Sequence, residues 1–229
     1  MTWPHQSQGP PAAGHPPLPA RPRALLLGRT ANFLVFLLIG FAVASRLGVV
    51  QTHRVSSANM VPTLAVDDHL LVRAFGEEPL RGDVVLYRSP FEFDRLLLGR
   101  IVAVSGDRVE LGAAGLLVGG RVLAALPAAA DTGCTAEELD ADACPLAAES
   151  IDNRLYYTRR AGGLSGLHFD PREVPEGRVF VLSDNRIDPR DSRIFGAIPH
   201  AAIVGVASFV YYAFDESGIR WDRISRPVS

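Results

Sequence analysis

Apolar positions follow two different patterns along the chain. From Ala24 to Val50 they run almost unbroken, "ALLLGRTANFLVFLLIGFAVASRLGVV", and the uncharged centre covers 16 residues, Thr30 to Ser45, between Arg29 and Arg46. A bilayer asks for about 20 residues; apolar flanks and snorkelling arginines make up the difference. The run therefore predicts one transmembrane anchor over residues 24–50. Three arginines and no acids precede its uncharged centre, which favours an N-terminus inside and the body outside. "AVAS", Ala42 to Ser45, has the small-x-small form of a cleavage site and leaves removal after Ala44 open. Both readings export the body.

After Arg54 the apolar residues come in short segments between turns: "HLLVRAF", "DVVLYR", "LLLGRIVAVSGDRVEL", "GLLVGGRVL", "RLYYT", "RVFVLSD" and "AIVGVASFVYYAF". These are short for helices and rich in Val, Leu and aromatics, which predicts a mostly β body over residues 51–229. Gly119 and Gly120, between "LLV" and "RVL", predict a tight hairpin through positive φ. The acidic, alanine-rich stretch from about Ala128 to Ile151 shows no strand pattern. It reads as part of an inserted, smaller β and loop region over about 126–173, dividing a core at about 54–125 and 174–214. Residues 1–23 hold seven prolines and read as a disordered tail.

With 229 residues, 48% of them hydrophobic, the chain suits one domain with a real core and an anchor. The net charge is −2, and the first acidic residue is Asp67, after five arginines. The body is thus acidic, which argues against nucleic acid as a partner. All 23 basic residues are arginine, so no mechanism that needs a neutral lysine amine operates within this chain. A guanidinium cannot stand in as a base. The only cysteines, Cys134 and Cys144, would bridge in an oxidising compartment, closing a small loop worth roughly 2 to 3 kcal/mol; two free thiols are the alternative. Two thiols do not make a closed zinc site, so no metal or other cofactor is expected.

Four ordered blocks carry a family resemblance. "SSANMVPTL" resembles PSGSMxPTL, and "DDHLLVRAF" resembles GDxxLVxKF. "RGDVVLY" with "GRIVAVSGDRVEL" resembles RGDVVVF and KRVxGLPGDxV, and "PEGRVFVLSDNRIDPRDSRIFGAIP" resembles PxGxxFxMGDNRxxSxDSRxxGxIP. The body is similar to bacterial type I signal peptidases of the S26 family. That resemblance implies a membrane-anchored β domain on the outer face of the cytoplasmic membrane, cutting signal peptides with a serine nucleophile and a lysine base. Such a dyad works because a neighbouring base takes the hydroxyl proton and burial lowers a lysine's pKa.

Carried across by position, the nucleophile slot is Asn59 and the base slot is Gly99. The hydroxyl that orients the lysine falls at Pro189, and the oxyanion donor survives in type as Ser57. The implied product is a homologue without the proton-transfer apparatus. The alternatives are a working peptidase with another nucleophile and base, and an envelope component that is purely structural. Ser56 or Ser57 with a histidine is the obvious substitute pair, yet His53 and His69 do not fall in the base slot. Asp184, Asn185, Arg186, Asp191, Ser192 and Arg193 match the final block and are expected to hold adjacent turns in register. Leu96, Leu97 and Leu98 lie where the substrate-pairing strand would run, with Met60 and Pro62 adding apolar surface. The alternative for all five is a place in the β core or against lipid. The expected partners are the bilayer and either signal-peptide-like segments or another envelope protein.

Overall fold

The computed structural model describes residues 23–46, 49–74, 78, 80–92, 94–112, 115–123, 126–127, 146–159, 169–188 and 190–228, with backbone alone at 23–30, 44–45 and 126–127. Cys134, Cys144 and Pro189 lie outside the described residues.

Helix α1 spans Arg23–Arg46, and its described side chains from Ala31 to Val43 are exposed. Among the described residues no helix is long and apolar enough to cross a membrane. The expected span is therefore not confirmed. The uncharged centre of 16 residues rises roughly 24 Å as a helix, so a hydrocarbon core of about 30 Å would have to be filled with the help of its flanks. The expected anchor also ran to Val50, where the structure instead starts a strand.

The strands of the body follow in order: β1 (Val50–Arg54), β2 (His69–Ala74), β3 (Val84–Arg88), β4 (Leu96–Val104), β5 (Arg108–Gly112), β6 (Gly115–Val118), β7 (Arg121–Val122), β8 (Leu126–Pro127), β9 (Leu146–Ile151), β10 (Arg154–Arg159), β11 (Phe169–Glu173), β12 (Arg178–Leu182), β13 (Ile198–Pro199), β14 (Ile203–Tyr212), β15 (Phe214–Asp215) and β16 (Gly218–Ile219). A 3₁₀ turn, Ala58–Met60, lies between β1 and β2, and a one-turn helix α2, Ser192–Phe195, precedes β13. The largest sheet runs β1-β2-β14-β3-β4-β12-β13; beside it are β11-β5-β6-β7, β10-β9-β8 and the β15-β16 ribbon. All described strand pairs in the sheets are antiparallel.

"VVLY" in β3 has no polar alternation because both faces are covered. Val84 and Leu86 join one buried cluster with Val55, Met60, Leu64, Leu70 and Leu98, while Val85 and Tyr87 join another with Ile101, Val179 and Val181. Each fully buried side chain of this size contributes roughly 1.5 to 3 kcal/mol. Gly119 and Gly120 both have positive φ and connect β6 to β7, a geometry glycine adopts without steric cost.

The region expected to lack strands contains β9, paired along its length with β10. Ala147, Glu149 and Ile151 point inward there. The two-residue period is present, but its central inward position is a glutamate, which disguises it as a polar stretch. β11, also within the expected insertion, pairs with β5 and so belongs to a core sheet.

Candidate functional site

β4 sets the frame for the nucleophile and base slots. Ile101 donates its N–H to Asp83 O and accepts from Gly82 N, both at 2.8 Å, on the side of β3. Alternation in an antiparallel strand then turns the backbone groups of Leu97 and Gly99 toward β3 and those of Leu96, Leu98 and Arg100 the other way. β12 covers that second edge only as far as Arg100, which it meets at Leu182. Beyond it, no described strand pairs with Leu96 to Leu98 on this side.

The 3₁₀ turn fills the gap. Asn59, 4% exposed, donates Nδ2–H to Leu98 O at 2.7 Å, and its Oδ1 accepts the Ser57 hydroxyl at 2.8 Å. The Asn59 carbonyl accepts from Asn185 N at 2.9 Å, and Asn185 Nδ2 donates to Ala58 O at 3.1 Å. The nucleophile slot thus holds a neutral amide bonded at both ends, and the surviving oxyanion donor spends its proton on that amide. Ser57 is extended and partly exposed.

Gly99 lies on the other face of β4. A Cβ built there would stand 3.3 Å from Tyr87 Cε1, 3.3 Å from Val181 Cβ and 3.6 Å from Leu182 O. Tyr87, two residues along β3 from Gly99's partner Val85, leans across the space a longer side chain would need. Its hydroxyl is buried with no hydrogen-bond partner among the described residues, as is that of Ser183. Burial, then the charges of Asp191 and Asp188, push the Tyr87 phenol well above its ordinary pKa, so it stays protonated and is no base.

Behind the slots lies a buried chain of ion pairs. Arg100, 1% exposed, forks onto Asp184 through Nε at 2.9 Å and Nη2 at 2.8 Å and caps Gly82 O through Nη1 at 2.8 Å. Thr63 Oγ1 also donates to Asp184. The Arg100 guanidinium stacks 4.3 Å above the Tyr156 ring. Tyr156 and Arg186 in turn both donate to Glu149 Oε2, each at 2.7 Å. Burial works against the charge on Arg100 and Arg186, but Asp184 and Glu149 respectively outweigh it and hold both guanidinium groups charged. Asp191 caps α2 and accepts from Ser183 N at 2.9 Å. Arg193 pairs with Asp191 while donating to Arg186 O at 2.7 Å, and Ser192 Oγ accepts from Val181 N at 3.0 Å.

The matched residues of the final block are therefore brought together. Met60, Pro62 and Leu98 are buried, whereas Leu96 and Leu97 are half-buried. His53 is also half-buried, and burial depresses its pKa. His69 packs edge-on against Tyr211 and Tyr212, with ring centroids 5.9 and 5.4 Å away. Among the described residues neither histidine reaches Ser57. Sequence reasoning missed Glu149, Tyr156, Thr63 and Tyr87. Arg100 alone had a signal, its place directly after the base slot. Among the described residues no cluster of His, Cys, Asp and Glu could hold a metal ion.

Residues 28–212 match the family model for signal peptidase, peptidase S26. Signal peptidase I of Aquifex aeolicus is 28% identical over 210 residues, covering 78% of this chain and 82% of the relative. A probable signal peptidase I-2 of a Synechocystis species is 24% identical over 210 residues, covering 88% and 79%. Signal peptidase I of Rickettsia massiliae is 24% identical over 149 residues, covering 62% and 54%, so the chain spans about half the length of that relative. A crystal structure of a signal peptidase I from Enterococcus faecalis overlaps with TM-score 0.34 at 25% identity, covering 57% of this chain and 97% of that one. The chain belongs to the signal peptidase family, peptidase S26.

Proposed function

We propose that this chain is a signal-peptidase homologue that does not cut by the serine and lysine route. It is held at the bacterial cytoplasmic membrane by α1, with the β domain on the extracytoplasmic side, and engages extended, signal-peptide-like segments along the Leu96 to Leu98 edge of β4. The observation that carries this reading is the closed relay from the Ser57 hydroxyl through the Asn59 amide to Leu98 O. A nucleophile must be an uncommitted hydroxyl or thiol beside a base. Here the slot holds an amide committed at both ends, and the base slot is a glycine under a tyrosine ring.

Exposure of Phe33, Leu34, Phe36, Leu38 and Ile39 along α1 supports contact with lipid, and the arginines at its ends suit the headgroup region. Burial of Met60, Pro62 and Leu98 favours core roles for those side chains. It leaves Leu96 and Leu97 to face a peptide, with backbone bonds supplying the affinity.

The test is incubation of the purified full chain in detergent with a pre-protein bearing a small-x-small site. The expected result is no cleavage, and turnover by the unaltered chain overturns the reading. Asn59→Ser with Gly99→Lys is also expected to stay inactive, because Tyr87 and Val181 crowd the new side chain. Cleavage by that double variant would show that the lysine finds room and that the groove is otherwise intact.

A further inference from the structure

The acceptor most suited to a pairing peptide is already taken. Leu98 O faces the edge that β12 leaves open, and the Asn59 side chain supplies the donor it receives there. A carboxamide carries the same donor and acceptor as a peptide unit. Nδ2–H meets Leu98 O as a strand N–H would, and Oδ1 takes the Ser57 proton as a strand carbonyl would. The turn's backbone is pinned separately, through Asn185 to Asn59 O and Ala58 O, so the side-chain bonds of Asn59 can be exchanged without releasing those that hold the turn.

We infer that the Asn59 carboxamide is a built-in competitor, occupying the β4 edge in the free protein and yielding it to an extended peptide whose own N–H replaces Nδ2–H at Leu98 O. The inference rests on the reading of that edge as a peptide site. One neutral hydrogen bond is exchanged for another, and the displaced amide and Ser57 hydroxyl return to water. The competition lowers apparent peptide affinity by about five- to tenfold, the effect of one net hydrogen bond. Peptides lacking a backbone N–H at the residue opposite Leu98 gain nothing from displacing Asn59.

The test is fluorescence anisotropy on the full chain in detergent micelles, using a labelled synthetic peptide with an Ala-Gln-Ala segment. Asn59→Ala should bind this probe about five- to tenfold more tightly than the unaltered chain. N-methylation of the backbone within the segment should abolish that gain. Equal or weaker binding by a folded Asn59→Ala variant overturns the inference, as does a gain that survives N-methylation. Should Asn59→Ala fail to fold, the unaltered chain with ¹⁵N-labelled asparagine decides: the Asn59 side-chain amide resonances must shift as the probe saturates. Unchanged resonances at saturation, or no saturable binding, also overturn it. Mass spectra of the same samples separate this inference from the non-cutting reading, since probe fragments would defeat the latter whatever the order of affinities.

Discussion

The turn at Ala58–Met60 and the ion pairs behind it are neighbours, yet they stand in opposite relations to the family's chemistry. At the turn the resemblance calls for an activated serine facing a lysine, and this chain has Asn59 and Gly99. In the ion-pair region the block "SDNRIDPRDSR" keeps its acids and arginines, and they pair as a scaffold requires: Arg100 with Asp184, Arg186 with Glu149 and Arg193 with Asp191. A catalytic group can be replaced by anything that satisfies its neighbours, and Asn59 does so for Leu98 and Ser57. A buried charge cannot be replaced singly, because its partner is left charged in a low-dielectric interior. Persistence of the second region alone thus says little about activity.

That contrast makes its strongest prediction for the ion pairs. Asp184→Ala leaves Arg100, wholly buried, without its carboxylate, and should cost about 3 to 5 kcal/mol in denaturant unfolding. A loss below about 1 kcal/mol would mean the pair carries no more weight than a surface bridge. Next comes Gly99→Lys, expected to cost about 1 to 3 kcal/mol by overpacking against Tyr87 and Val181. In a Tyr87→Ala background the added cost of Gly99→Lys should be smaller, as a double-mutant cycle would read, and an unchanged melting curve for Gly99→Lys would refute the account of a filled slot. Asn59→Ser shortens the side chain so that it no longer reaches Leu98 O, with an expected cost of about 1 to 2 kcal/mol and no gain of cleavage.

A smaller effect follows from pH. Burial alone would raise the Asp107 pKa, but the Arg81 fork at 2.6 and 2.7 Å and the Val104 N–H more than offset it and leave it lowered. For Asp188 the Arg190 hydrogen bond is the largest cause, again downward. A carboxylate whose folded pKa is depressed stabilises the fold above its unfolded value of about 3.9, and this stabilisation is lost as pH falls through the folded value. Unfolding free energy should therefore decline below about pH 4, with a shallower decline in Asp107→Asn. The same slope in both proteins would remove Arg81 and Asp107 from the account. The smallest effect is expected from Arg54→Ala, which breaks a solvent-exposed pair with Asp67 and should change stability by less than about 1 kcal/mol.

Most strands were legible because both-face burial writes uninterrupted apolar runs such as "VVLY" and single-face burial writes alternation. The exceptions have a common cause. β9 has the alternation, but its central inward residue is Glu149, and only Tyr156 on the paired strand β10 together with Arg186 from a more distant segment makes a glutamate an interior residue. Tyr87 looked like one more strand aromatic, since its role depends on the absence of a side chain at Gly99, across the strand pair. The membrane span was read from apolar length with help from flanking residues, and α1 supplies the helix, Arg23–Arg46, without confirming the span.

The sequence by itself determined the family, the mostly β body, the absence of lysine and the identities Asn59 and Gly99, because each of these is a property of residue type and order. Only the tertiary structure decided that Asn59 bonds Leu98 and Ser57, that Tyr87 covers Gly99, and that Glu149 belongs to the core. These are contacts between residues as many as 39 positions apart in the case of Asn59 and Leu98. A hydrogen bond or a filled volume depends on what the fold brings alongside, and no local pattern in the chain encodes that partner.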